Sequence, residues 1–176
     1  MRVVLLSKAL VVGAYHAKCA AIAAQPDIDL TVLVPERWVD DGVERRLEAV
    51  EPDGYRLEVV PIARPGDFHL HYYPSLAARL RRLRPDVVHL DEEPYNLATF
   101  LGLRAARHVG ARSVFFTWQN LNRRYPLPFR AFERYAYGRV GAAIAGSQSA
   151  AGVLRAKGFP PSTPIAVIPQ FGVDEA

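Results

Sequence analysis

Residues 2–35 read RVVLLSKALVVGAYHAKCAAIAAQPDIDLTVLVP. The stretch opens on RVVLL (2–6), a short β-branched apolar run without polar alternation, as in a strand covered on both faces. GAYHAKCAAIAAQP (13–26) is alanine-rich, sets small apolar residues on one helical face and is closed by Pro26. DLTVLVP (29–35) is a second buried strand. Strand, helix and strand in about 35 residues is the length a parallel crossover requires, so the stretch predicts a β–α–β unit.

The alternation continues outward from that unit. YRLEVVPI (55–62), PDVVHLD (85–91), RSVFFTW (112–118), GAAIAGS (141–147) and TPIAVIP (163–169) read as strands. Between them, VERRLEAV (43–50) reads as a short helix and ARPGDFHLHYYP (63–74) as a loop. SLAARLRRLR (75–84) reads as a helix capped by Ser75. EPYNLATFLGLRAARHVG (93–110) is a helix ending at Gly110, YPLPFRAFERYAYGRV (125–140) is mostly helical, and SQSAAGVLRAKGF (147–159) is a serine-capped helix ending at Gly158. The pattern predicts a doubly wound α/β domain with a mostly parallel, Rossmann-like sheet of about seven strands.

Composition narrows the class. Of 176 residues, 50% are hydrophobic and 23% charged, which suits one globular domain that folds without a disulfide or a metal. The single cysteine, Cys19 in AKCAAIAA, excludes an intrachain disulfide and reads as a core residue. No run reaches the roughly 18 apolar residues of a spanning helix, and Ser7 and Lys8 interrupt any signal-like start, so a cytoplasmic protein is expected. The net charge of +4 is mild, but arginines cluster in RLRRLR (79–84) and NRRYPLPFRAFERYAYGR (122–139). The second cluster interleaves aromatics with cations, which suits peripheral contact with an anionic membrane. Phe129, Phe132 and Tyr135 read equally as the buried face of a core helix. Neither an RNP-type aromatic motif nor a zinc spacing is present, so no nucleic-acid partner is expected.

In an open parallel sheet, ligands bind beyond the carboxyl ends of the strands. That rule selects Gly13 and His16 after the first strand, Glu92, Glu93 and Asn96 after PDVVHL, and Trp118, Gln119 and Asn120 after RSVFFT. No G-x-G-x-x-G or Walker lysine accompanies Gly13, and no acid closes the second strand, which argues against a nicotinamide dehydrogenase. Glu92 and Glu93 are adjacent, so they diverge; they suit substrate hydroxyls or the start of the following helix better than paired hydrolytic catalysis. His69 and His71, even with His89 or His16, lack a third ligand at a diagnostic spacing, so no metal site is expected. Trp118 with two amides offers an aromatic face and hydrogen-bonding groups of the kind a sugar ring uses.

The ordered segments RPDVVHLDEEPYNLAT (84–99), SVFFTWQN (113–120), AAIAGSQSAAGVLRAKG (142–158) and IAVIPQFGVD (165–174) resemble the N-terminal domain of retaining GT-B glycosyltransferases of family 4. The resemblance implies a Rossmann-like, acceptor-binding domain over 1–168. It makes 169–176 the start of a connection to a C-terminal domain that binds most of the nucleotide-sugar. It further implies hexose transfer with retention to a glycan, lipid-linked or small-molecule acceptor, with no cofactor and no catalytic residue assigned within this domain. Gly13 matches the glycine loop that approaches the donor phosphate or acceptor. Where the family often has a histidine beside the donor sugar, this sequence has Trp118 or Gln119. The alternative is a stand-alone Rossmann-like module that binds a small ligand without catalysis.

Overall fold

A computed structural model describes residues 1–170. The strands in chain order are β1 (Arg2–Leu6), β2 (Asp29–Pro35), β3 (Arg37–Asp40), β4 (Val43–Arg46), β5 (Arg56–Val60), β6 (Val87–Leu90), β7 (Arg112–Thr117), β8 (Ala142–Ala145) and β9 (Ile165–Val167). Seven of them form one parallel sheet in the order β5-β2-β1-β6-β7-β8-β9, bearing out the sequence-based fold. The chain winds outward from β1 to β5 on one side, then returns to pair β6 with the other edge of β1 and winds outward to β9. The reversal between β1 and β6 is the switch point at which the flanking loops part and leave a crevice.

The helices are α1 (Ala17–Ala23), α2 (Leu76–Leu83), α3 (Leu97–His108), α4 (Phe129–Tyr137) and α5 (Gln148–Ala156). The pleat of β1 divides the core. Val4 and Leu6 point into one cluster with Leu80, Leu90, Leu103, Phe115 and Leu154, while Val3 and Leu5 point into another with Cys19, Val32, Val34 and Trp38. Leu5 and Leu6 are at most 1% exposed, and each such burial contributes about 1.5–3 kcal/mol. Gly102 lets α3 press on β6, since a Cβ there would lie 2.7 Å from Leu90 Cδ2. Burial raises the Cys19 thiol to about 11, as befits a core residue.

Three local expectations are corrected. VERRLEAV is not a helix: β3 and β4 form an antiparallel hairpin around Asp41 and Gly42, both at positive φ (47° and 80°). Asp-Gly is the dipeptide such a two-residue turn favours. Ser75 precedes α2 but already has helical angles, and its hydroxyl makes no capping bond. Glu92 and Glu93 do not open α3, which begins at Leu97; they lie in the loop before it. Ser147 does cap α5, accepting from the Ala150 N–H at 3.2 Å. The Phe171–Ala176 part of the expected interdomain connection lies outside the described residues.

Candidate active site

Side-by-side pairing of β1 and β6 brings Ser7 and Lys8 to three consecutive acids, Asp91, Glu92 and Glu93. Asp91 Oδ2 accepts from Ser7 Oγ at 2.7 Å and from Lys18 Nζ at 2.6 Å, while Oδ1 accepts from Gln170 Nε2 at 2.9 Å. Glu92 accepts from Lys8 Nζ and from the Tyr73 hydroxyl, the latter at 3.0 Å. His71 Nε2 lies 3.2 Å from Glu92 Oε2, near enough for an ion pair when the imidazole is protonated. Glu93 turns the other way. Its Oε2 accepts from Thr117 Oγ1 at 2.5 Å and its Oε1 from the Trp118 N–H at 2.7 Å, tying the loop after β6 to the end of β7.

These surroundings separate the three carboxyls electrostatically. Burial alone would raise Glu92, but Lys8 and His71 outweigh it and hold the group down at about 2. Burial also opposes ionisation of Asp91, and Lys18 overcomes it, so Asp91 lies below the usual carboxylate range. Glu93 has no cation in contact; burial dominates over its two hydrogen bonds and pushes it up to about 7. Two of the acids are therefore fixed anions, and the third changes charge near neutrality.

Above this floor opens a cavity of about 720 Å³, within the roughly 300–1,000 Å³ usual for small-molecule sites. One wall is aromatic and cationic: Trp38 from β3 meets Phe68 edge-on at 5.3 Å, and Lys8 Nζ lies 5.3 Å from the Trp38 ring centroid. The opposite wall is built by Tyr95 and Tyr125, with ring centroids 4.2 Å apart, and by Trp118. Trp118 is 45% exposed, and its Nε1 donates to Gln170 Oε1 at 2.6 Å. Gly146 gives the indole its room, because a Cβ there would overlap the ring. Asn96 also lines the cavity, yet its Oδ1 is buried and without a partner.

Of the residues selected from sequence, Glu92, Glu93, Asn96 and Trp118 meet at this cavity. Gly13 stands beside the lining residue Val12 and gives its N–H to Glu48 Oε2 at 2.7 Å. His16 is buried and spent on the fold: Nε2 donates to the Leu10 carbonyl, so Nδ1 accepts from the Tyr55 hydroxyl, each at 2.7 Å. Gln119 turns away to accept from Lys157 Nζ at 3.3 Å, and Asn120 is exposed outside the cavity lining. His69 and His71 part company, His69 toward Tyr95 and Phe129, His71 toward Trp38 and Glu92. In segment 123–139, Phe132 and Tyr135 pack on Phe100 of α3, with ring centroids 4.7 and 5.0 Å apart, and Phe129 packs on His69 at 4.8 Å.

Residues 18–175 match the profile of Glycosyltransferase Family 4. The chain belongs to this family. No curated protein matches it in sequence. Among solved structures, this Family 4 chain is similar to Anabaena HepE in complex with UDP and glucose, at 13% identity and a TM-score of 0.60, covering 99% of this chain and 45% of that one. It is also similar to the Neisseria meningitidis UDP-GlcNAc 2-epimerase bound to UDP-GlcNAc, at 14% identity and a TM-score of 0.58, covering 94% of this chain and 45% of that one. A putative UDP-N-acetylglucosamine 2-epimerase from Listeria monocytogenes gives 13% identity and a TM-score of 0.57, with 93% and 44% covered. The family member thus spans less than half the length of these structures, and at such identities the likeness is one of fold. That fold is the Rossmann-like α/β unit of GT-B proteins.

Proposed function

We propose that this domain is the acceptor side of a nucleotide-sugar-dependent glycosyltransferase and that the cavity between β1 and β6 receives sugar hydroxyls. The observation that carries the reading is Asn96: a buried amide oxygen without a partner, on the wall of a cavity flanked by aromatic faces. A buried acceptor left unpaired costs about 1–3 kcal/mol, and a ligand hydroxyl would satisfy it once the Asn96 side chain turns toward the cavity. Trp118 supplies a face for the apolar side of a pyranose, and Glu93 a carboxyl for a further hydroxyl.

Two of these related folds were solved with UDP and glucose or with UDP-GlcNAc, and a UDP-sugar is the donor class carried over. In the reaction proposed, the bond from the anomeric carbon to the donor phosphate breaks, a bond to the acceptor oxygen forms with retained configuration, the acceptor proton leaves and UDP departs. No metal or other cofactor is assigned to this step. A second domain would close over the cavity and hold the diphosphate. The test is transfer from a panel of nucleotide-sugars by the full-length protein, with the product anomer read by NMR. Transfer with retention that falls at least about tenfold in Asn96→Ala and Trp118→Ala supports the reading. Ligand binding without transfer from any donor would favour the binding module instead.

A further inference from the structure

The strands of a parallel sheet begin at one edge, and the helices that follow them end there. At that amino edge β1, β6 and β7 start in a row, pinned by Asp86 N to Arg2 O at 2.8 Å and Arg112 N to Asp86 O at 2.9 Å. A depression of about 510 Å³ opens between Arg2, Arg81, Arg84 and Arg112, with Asp86 its one acid among the described residues. A neighbouring depression shares Gly110 and adds Arg107 and Arg139 with no acid. Six arginines less one aspartate give +5 here, against +4 for the whole chain. The arginines of these two depressions thus form a local excess of positive charge at this edge.

Ordinary helix electrostatics does not account for it. Of the helix carboxyl ends at this edge, those of α2, α3 and α4 border the two depressions, and each carries about −0.5 of an elementary charge. Three such ends offset roughly −1.5, less than a third of what the arginines supply. The single acid is already engaged, since Asp86 Oδ2 accepts from the Arg2 N–H at 2.7 Å and Oδ1 lies 3.8 Å from the Arg2 guanidinium. Among the described residues, Arg81, Arg84, Arg107, Arg112 and Arg139 have no carboxylate partner. Arg2 and Arg112 start strands two places apart in the sheet, a backbone separation of about 10 Å that a phosphate group can bridge from both sides. The planar fork of guanidinium matches phosphate oxygens two at a time. No aromatic among the described residues lines either depression, so the base stacking that supports single-stranded nucleic-acid binding has no platform there.

We infer that the amino edge of the sheet is a binding site for phosphate groups, carried on anionic lipid headgroups or on free phosphate esters. The site lies across the sheet from the cavity and stands whether or not the transferase reading holds. The test has two arms on the full chain: calorimetric titration with inorganic pyrophosphate, and sedimentation with phosphatidylcholine vesicles with and without phosphatidylglycerol. Each is repeated with Arg84→Gln plus Arg112→Gln and with Arg107→Gln plus Arg139→Gln, after circular dichroism has shown that the variants fold. Saturable binding that added salt weakens and either double substitution reduces at least about tenfold is the expected result. Pyrophosphate binding alone names a free ester, and binding to the anionic vesicles alone names a lipid surface. No binding in either arm, or binding that both double variants retain, overturns the inference, as does binding of duplex DNA when neither phosphate source binds.

Discussion

At the carboxyl edge of the sheet Asp91 and Glu92 are buried against lysines, whereas at the amino edge five arginines face solvent without a carboxylate among the described residues. The contrast follows from solvation. A buried charge must be paired, and removing one partner strands the other, whereas an exposed charge remains solvated by water. Chemistry at the carboxyl edge is thus bound up with stability, and the arginines at the amino edge are free to take a ligand at little cost to the fold. Substitutions that break this contrast have effects of very different size.

The largest effect is expected from Glu92→Gln, which leaves Lys8 buried beside a neutral amide. A loss of about 3–5 kcal/mol follows from breaking a buried pair, and urea denaturation at neutral pH measures it. A loss below about 1 kcal/mol would show that the pair is exposed to solvent in practice.

The next effect is one of pH. Glu93 has a folded value of about 7 against an ordinary 4.5, so between those values the folded state holds the extra proton and stability falls as pH rises. The drop is at most about 3 kcal/mol. Glu92 has the opposite sign: its contribution is present above 4.5 and fades as pH falls toward about 2. Denaturation midpoints should therefore decline from about pH 5 to about pH 8 more in the wild type than in Glu93→Gln, where the opposing rise from His89, whose value burial lowers, remains. An equal decline in the variant would assign the effect to another group.

Two glycines separate site from core. Gly102→Ala forces α3 off Leu90 and should cost about 1–3 kcal/mol. Gly146→Ala collides with an indole that can swing outward, so it should cost less stability but displace Trp118 and weaken ligand binding. Thermal melts beside binding titrations compare the two. The smallest effect belongs to the amino edge, where Arg84→Gln and Arg112→Gln should each shift stability by no more than about 0.5 kcal/mol.

Much of the sheet was legible because a strand covered on both faces reads as an unbroken apolar run, as RVVLL and DLTVLVP do. The β3–β4 hairpin was not. Every residue of β4 is exposed, so no apolar period marked it, and Asp41-Gly42 was its one strong signal. At the site, Asp91 reads from sequence as the last residue of its strand, and the strand-end rule selected Glu93 and Trp118, which stand within three residues of the ends of β6 and β7. It passed over Lys8 and Asp91, whose partners lie 84 and 73 residues away and come together only through the order of the strands. The rule also selected His16, whose position after the first strand is correct but whose nitrogens both serve the fold. Sequence position could not tell a polar group that meets a ligand from one that meets a carbonyl.

Both tryptophans of the chain, Trp38 and Trp118, line the cavity on opposite walls, so intrinsic fluorescence reports on it directly. Titrating the full-length protein with nucleotide-sugars and simple glycosides should give a saturable change for at least one of them. Trp118→Ala retains Trp38 as reporter and should bind that ligand at least about tenfold more weakly while melting within a few degrees of the wild type. No change with any ligand, or unaltered affinity in Trp118→Ala, would contradict a sugar-binding cavity between β1 and β6.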